Sequence, residues 1–288
     1  MAVLVIGGPT AVGKSSLALE VASHLNAPVV SADAMTIYKD LDIGTAKPSD
    51  QDLNRVTHYC VNIRSYNEAY TVGDFVNDTH AVIQSHEHVV IAGGTPYYLN
   101  ALFRPLAPLP ESQPDIRSRL ELLDNPHERL QQVDLVSAER LHPNDKVRVI
   151  RALEVFELTG RPLSEVQKDP PKRPPLDATV LWMDRQELRP RIGQRIEMML
   201  DMGYIEECQK VLDEKWDLRA KPLQSFSYKF WLEYLRGEKS FEEAKERTEI
   251  GTWHLARKQR TWSRNIGWKP LDPTVARDET VRWLDTLQ

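Results

Sequence analysis

The chain has 288 residues, enough for one large domain or a core carrying a smaller insertion, with 41% hydrophobic and 27% charged residues as in ordinary globular proteins. Its 37 Lys and Arg stand against 42 Asp and Glu, a net charge of −5, which excludes a surface coated all over with basic charge but not a local basic patch. Two cysteines, Cys60 and Cys208, exclude a disulfide scaffold, and no run approaches the roughly 20 apolar residues of a membrane span or the pattern of a signal peptide, so a reduced, cytoplasmic, soluble protein with no membrane partner is expected.

Residues 2–6 are short, apolar and β-rich, and glycines follow at once, which predicts a buried strand of a parallel sheet. Residues 14–25 show helical spacing, with Leu17, Val21, Ala22 and Leu25 on one face. Val29-Val30, ending in Ser31-Ala32-Asp33, predicts a second strand, and residues 88–92, running into Gly93-Gly94-Thr95, a third. Residues 111–141 are mostly charged and helical in pattern, with no strand candidate. Pro162, Pro170, Pro171, Pro174 and Pro175 punctuate a polar, irregular connection. Residues 179–183 predict another strand, and from Glu187 onward the pattern is mainly helical. Strands alternating with helices indicate an α/β sheet with helices on both faces.

Gly8-Pro9-Thr10-Ala11-Val12-Gly13-Lys14-Ser15 matches the G-x-x-x-x-G-K-[ST] phosphate loop in full, with a strand before it and an amphipathic helix after it. Backbone N–H groups of such a loop cradle phosphates, and the following helix adds the positive end of its dipole. Lys14 supplies a point charge to the outer phosphates and the Ser15 hydroxyl a ligand for Mg²⁺. The fold class expected is therefore α/β: a P-loop NTPase-like parallel sheet flanked by helices, with a small helical insertion and a helical C-terminal part. Residues 1–105 and 143–288 form the catalytic core on this reading, and 106–142 the insertion.

The strand at 88–92 ends without a carboxylate, so Asp33 is the early acidic candidate. Ligands of open α/β sheets bind beyond the carboxyl ends of strands, which turns Asp33 toward the phosphates. There it can organise metal-bound water, accept a proton, or simply cap a turn. Arg191 and Arg195 lie four apart and share a helix face, either solvated or functional. From Thr252 to Lys269 there are five Lys or Arg (Arg257, Lys258, Arg260, Arg264, Lys269) and no Asp or Glu, with Trp253, Trp262 and Trp268 interleaved. The cations suit RNA phosphates, and the tryptophans either stack on bases or belong to the core.

Several segments together resemble one family. The loop is followed by Ser31-Ala32-Asp33-Ala34-Met35-Thr36-Ile37-Tyr38, Leu41-Asp42-Ile43-Gly44-Thr45-Ala46-Lys47-Pro48 and Gly93-Gly94-Thr95-Pro96-Tyr97-Tyr98. His142-Pro143-Asn144-Asp145, Arg151-Ala152-Leu153-Glu154-Val155 and Ala256-Arg257-Lys258-Gln259-Arg260-Thr261-Trp262 come after. The chain resembles the tRNA dimethylallyltransferases, also called tRNA isopentenyltransferases, from about its first residue to about residue 270. The resemblance implies transfer of a dimethylallyl group from dimethylallyl diphosphate to the exocyclic amine of the adenosine next to the anticodon, in tRNAs reading codons that begin with U. It implies Mg²⁺ as cofactor, tRNA as partner, action as a monomer, and a loop that holds a diphosphate and not a triphosphate.

The resemblance places the catalytic roles on Asp33, Thr95 and Arg195 and the diphosphate on Gly8, Pro9, Thr10, Ala11, Val12, Gly13, Lys14 and Ser15. It places tRNA contacts on Asp33, Ala34, Met35, Thr36, Thr95, Arg117 and the run Val147, Arg148, Val149, Ile150, Arg151. The segment from Gln224 to Lys229 corresponds to a further contact region. The inserted helices stand where the family has a part that clasps the anticodon stem.

Several positions depart from the family pattern: Ala34 replaces the usual Ser, Thr36 a common Gln, Asp40 a Gly, Ser227 a Gly and Trp253 a basic residue. These bear on tRNA affinity more than on reaction type. Competing readings are a small-molecule kinase using the same loop for ATP, prenylation of free adenine nucleotides, and a nucleic-acid-binding module with an idle loop. Intact Lys14 and Ser15 weigh against the last.

Overall fold

Strand β1 (Ala2–Gly7) carries Val3, Leu4, Val5 and Ile6 fully into the interior, as a central parallel strand requires. The computed structural model describes residues 2–171 and 173–287. In chain order, β1 is followed by α1 (Lys14–Leu25), β2 (Val29–Ser31), α2 (Asp50–Arg55), β3 (His58–Tyr59), α3 (Val72–Ser85), β4 (His88–Gly93) and α4 (Pro96–Phe103). Next come α5 (Pro114–Glu121), α6 (Pro126–Val133), α7 (Leu135–Arg140), α8 (Lys146–Thr159) and α9 (Leu163–Val166). The chain ends with β5 (Thr179–Met183), α10 (Arg189–Asp201), α11 (Tyr204–Asp213), α12 (Lys229–Leu235), α13 (Phe241–Ile266), β6 (Pro270–Leu271) and α14 (Pro273–Asp285).

Among the described residues the strands form one parallel sheet in the order β3-β2-β4-β1-β5-β6. The expected strands at 2–6, 29–30, 88–92 and 179–183 are all present, and the expected helix over 14–25 is α1. Edge strands β3 and β6 were not anticipated; at two residues each they are too short to show a period. The register pairs Gly7 with Gly93 and Ser31 with Ala92, so β1, β2 and β4 end level with one another. All three loops that carry candidate residues therefore leave the same edge of the sheet. No described helix is long and apolar enough to cross a membrane.

The chain divides into two compact units, Met1–Leu102 with Asp177–Gln288, and Phe103–Leu176. The second unit is larger than the 106–142 insertion read from the sequence. The reason is α8, which takes Val149, Ile150, Ala152, Leu153 and Val155 into the same core as Leu120 of α5 and Leu130 of α6. Residues 143–176 therefore belong with the helical unit and not with the sheet. Within that unit, buried Asp134 caps α7 through the Ser137 N–H at 3.0 Å and accepts from the Ser164 N–H and hydroxyl at 2.9 and 2.6 Å. Buried Glu154 accepts from the Ser112 hydroxyl, the Gln113 N–H and Arg151. Burial opposes ionisation of both carboxyls, but these donors outweigh it and hold them below the usual carboxylate range.

Candidate active site

The phosphate loop owes its shape to residues with left-handed backbone. Gly13, at the N-terminus of α1, has φ 108°, and Gly8 has φ 154°. A Cβ on Gly8 would lie 2.4 Å from the Met183 carbonyl oxygen, so β5 packs directly on the loop. Ala11 also adopts a positive φ, 64°. Lys14 folds back to donate to the Pro9 carbonyl at 2.8 Å. Burial, and then the Arg195 cation, draw its pKa down to about 7 against the partial support of Asp33. An arriving anion would supply the charge that this lysine lacks.

Helix α10 brings two of its three arginines, Arg191 and Arg195, to the loop. Arg195 donates to the Thr10 hydroxyl at 3.1 Å, and burial pushes its pKa down while Asp33 opposes this. Arg191 is exposed, yet its Nε donates to the Ala11 carbonyl at 2.9 Å. The i,i+4 pair is thus not a solvated stripe. Both heads touch the loop.

Asp33 follows β2 and faces Lys14 and Arg195. Its Oδ1 accepts from the Met35 N–H at 2.9 Å, the turn-forming role foreseen as an alternative. Among the described residues Oδ2 makes no hydrogen bond, and the residue lines the cavity, so the turn leaves one oxygen able to accept a proton. Thr95, at the end of β4, accepts from the Ala34 N–H at 3.1 Å, and its own N–H donates to the Ala32 carbonyl at 3.1 Å. Gly93 makes this approach possible, since a Cβ there would sit 2.2 Å from the Ala32 oxygen. Thr95 therefore fixes the backbone on both sides of Asp33.

These groups surround one cavity of about 530 Å³, lined by Thr10, Lys14, Ser15, Asp33, Thr95 and Arg195. Its apolar wall is made by Ile192, Ile196 and Met199 of α10, Leu255 of α13 and Phe226. The segment from Gly44 to Pro48 forms another side. Glu207 of α11 accepts from the N–H groups of Asp42, Ile43 and Gly44 at 2.7, 2.7 and 2.9 Å and from the Tyr228 hydroxyl at 2.7 Å. A Cβ on Gly44 would strike Tyr204 at 2.5 Å and Tyr228 at 2.6 Å. Lys47 donates to Asp42 and Asn62 at 2.6 Å each and to the Tyr38 carbonyl. The Asp-Ile-Gly-Thr-Ala-Lys-Pro motif is thus a wall pinned by a distant carboxylate. Glu207 carries no local signal that would have revealed it.

Ala34, Met35 and Thr36 also line the cavity, although the Thr36 side chain is buried and bonded to Ser31 at 2.9 Å. Of the segment from Gln224 to Lys229, Ser225, Phe226 and Ser227 face the cavity, while Gln224 and Lys229 are exposed without lining it. In the second unit the expected tRNA run divides. Val149 and Ile150 lie in the core, and Arg151 is tied to Glu154 and the Pro110 carbonyl, because the helical repeat turns these three inward. Val147 and Arg148 are exposed. Arg117 pairs with Glu121 at 3.1 Å.

The basic stretch is the C-terminal half of α13 and the turn after it. Ala256, Gln259 and Ser263 face inward, and Arg257, Lys258, Arg264 and Lys269 are exposed. Arg260 leaves the set: it pairs with Asp184 at 2.8 Å. The three tryptophans divide. Trp268 packs on buried Trp182 with centroids 5.3 Å apart, and Trp253 lies under Arg189 and Arg260. Trp262 is 38% exposed and meets Tyr97 edge-on at 6.3 Å. Among the departures, Asp40 adopts φ 61°, the reason a glycine suits that position, whereas Ser227 has no positive φ and is accommodated without such strain.

Among the described residues no cluster of three or more His, Cys, Asp or Glu is placed to hold a metal. Ser15 opens α1 into the cavity beside Lys14. This donor set fits Mg²⁺, which takes few protein ligands and draws the rest from phosphate oxygens and water.

A parallel sheet, a phosphate loop at the end of β1 and a cavity built on that loop define a phosphate-loop α/β protein for a phosphorylated ligand. A family model described as IPP transferase matches residues 36–266. The tRNA dimethylallyltransferase of Gloeothece citriformis is 38% identical over 267 residues, 91% of this chain and 88% of that one. The tRNA dimethylallyltransferase 1 of Citrifermentans bemidjiense is 40% identical over 272 residues, 90% and 88% of the two chains. The crystal structure of the full-length tRNA isopentenylpyrophosphate transferase from Bacillus halodurans matches at 31% identity and TM-score 0.68, covering 99% of this chain and 96% of that one. A eukaryotic dimethylallyltransferase acting on tRNA matches at 26% identity and TM-score 0.81, covering 94% and 73%. The chain belongs to the IPP transferase family.

Proposed function

We propose that this enzyme transfers a dimethylallyl group from dimethylallyl diphosphate to the exocyclic amine of the adenosine next to the anticodon, in tRNAs reading codons that begin with U. The observation that carries the reading is a single cavity where a phosphate loop with Lys14 and Arg195, an apolar wall and the open oxygen of Asp33 meet. A kinase needs no such wall. The loop and its cations hold the diphosphate, and the apolar side chains hold the five-carbon chain.

As the allylic C–O bond breaks, its electron pair leaves with the diphosphate, whose growing charge Lys14, Arg195 and the loop N–H groups stabilise. Ser15 would hold a magnesium ion, which would supply further positive charge to the departing diphosphate. The amine lone pair forms the new C–N bond, and Asp33 Oδ2 accepts the hydrogen the nitrogen gives up. Thr95 holds the turn that aims Asp33.

The target base must leave its stack, at a cost of about a few kcal/mol, and phosphate contacts supply the compensating affinity. On the sheet unit these come from Arg257, Lys258, Arg264 and Lys269. On the helical unit Val147 and Arg148 remain as contacts to the anticodon stem, with Arg117 once it exchanges Glu121 for a phosphate. The reading places the enzyme in the cytoplasm with tRNA and treats one chain as the working unit.

Incubation with Mg²⁺, labelled dimethylallyl diphosphate and either tRNA or AMP tests this. Label entering tRNA is expected. Label entering AMP alone would favour a free-nucleotide prenyltransferase, and label entering neither would end the proposal.

A further inference from the structure

We propose that Gln259 is a positioning residue that holds the phosphate loop and the end of β4 in one frame, and so couples diphosphate binding to placement of the acceptor base. The proposal rests on the prenyl-transfer reading. Gln259 lies on the inward face of α13 and is 4% exposed. Its Oε1 accepts from the Thr10 N–H at 2.9 Å, and its Nε2 donates to the Gly94 carbonyl at 2.6 Å. One amide thus joins the loop after β1 to the loop after β4, beyond the point where ladder hydrogen bonds end.

Both ends of the brace lead into the reaction site. Thr10 also receives Arg195 on its hydroxyl. Gly94 precedes Thr95, which fixes the residue after Asp33. A continuous path therefore runs from the cation for the leaving group, through Gln259, to the carboxylate for the acceptor. The Thr10 N–H is occupied by protein, so it sets the shape of the loop before any phosphate arrives. A side-chain amide offers an acceptor to one side and a donor to the other, and Asn would be one methylene short. Gly94 admits the brace, for a Cβ there would stand 2.5 Å from Nε2.

The test compares wild type with Gln259→Leu, which removes both contacts, and Gln259→Glu, which keeps the acceptor for Thr10 but loses the donor to Gly94. Calorimetry gives the affinity for inorganic pyrophosphate with magnesium. Binding of a tRNA anticodon stem-loop is measured with and without pyrophosphate, the ratio being the coupling between the two sites. We expect a wild-type ratio of about fivefold or more, falling toward one in both variants. Pyrophosphate affinity should drop about tenfold in Gln259→Leu and less in Gln259→Glu. In both variants kcat should fall, and KM for tRNA at saturating prenyl donor should rise by about the factor lost from the ratio.

Thermal melts identify a variant that fails to fold, in which case the other carries the test. An unchanged ratio and kcat with only a lower melting temperature would reduce Gln259 to a structural role and overturn the proposal, as would a wild-type ratio of one. If the wild-type protein bound no tRNA, the prenyl-transfer reading would fail instead. Unchanged pyrophosphate affinity in Gln259→Leu would then still refute the brace.

Discussion

Asp33 shows how one carboxylate serves two ends. Oδ1 closes the turn after β2, and the residue lines the cavity with Oδ2 not used in that turn. Asp33→Asn keeps the turn acceptor and removes the proton acceptor. Turnover is expected to fall about 10²-fold or more, with tRNA affinity nearly unchanged in a filter-binding assay. Equal losses in both would place Asp33 in binding alone.

Lys14 makes a pH prediction. Its pKa in the folded protein is about 7, against an ordinary value of 10.5. Between those two values the unfolded chain binds the extra proton, so this group's contribution to stability rises with pH across that window. A bound diphosphate favours the charged lysine and reverses the shift. Above pH 7 pyrophosphate binding should therefore take up a proton and weaken as pH climbs. Calorimetry at pH 8 in buffers of different ionisation heat is expected to show uptake approaching one proton, lost in Lys14→Met.

At the scale of elements, the cavity depends on segments that are not themselves regular structure. The stretch from Asp42 to Gly44 has three N–H groups satisfied by one side chain of α11. Glu207→Ala leaves those donors and the Tyr228 hydroxyl without their acceptor. The expected cost is about 2 kcal/mol or more, read from urea denaturation, with a raised KM for the prenyl donor because the released loop forms a wall of its site. A variant with normal stability and KM would show that the loop holds itself. The helices themselves were largely legible in the sequence: the loop-to-α1 junction, the arginine spacing of α10 and the long C-terminal pattern of α13 all lie in local order. The boundary of the helical unit was not, because α8 reads as amphipathic wherever it packs.

At the scale of the molecule, the net charge of −5 coexists with an exposed cationic face on α13 and the turn after it. Arg257, Lys258, Arg264 and Lys269 make no ion pair among the described residues, unlike Arg260. Affinity for tRNA should fall steeply with salt. Replacing Arg257, Lys258 and Arg264 by Gln should reduce the slope of log affinity against log salt by about 0.7 to 0.9 per cation. An unaltered slope in fluorescence-anisotropy titrations would move the RNA to another face.

The sequence by itself determined the phosphate loop, the parallel α/β architecture and the family. Each rests on short-range order: a glycine spacing that dictates backbone geometry, apolar runs of strand length, and motifs whose residues are neighbours in the chain. The tertiary structure alone decided which distant groups complete the site. Gln259 reaches Thr10 across 249 residues and Gly94 across 165, and Glu207 reaches Asp42 across 165. It also decided that Val149 and Ile150 face a core while Arg260 goes to Asp184. Such choices depend on strand order and on which helix face meets which neighbour, and a periodicity fixes a face without naming its partner.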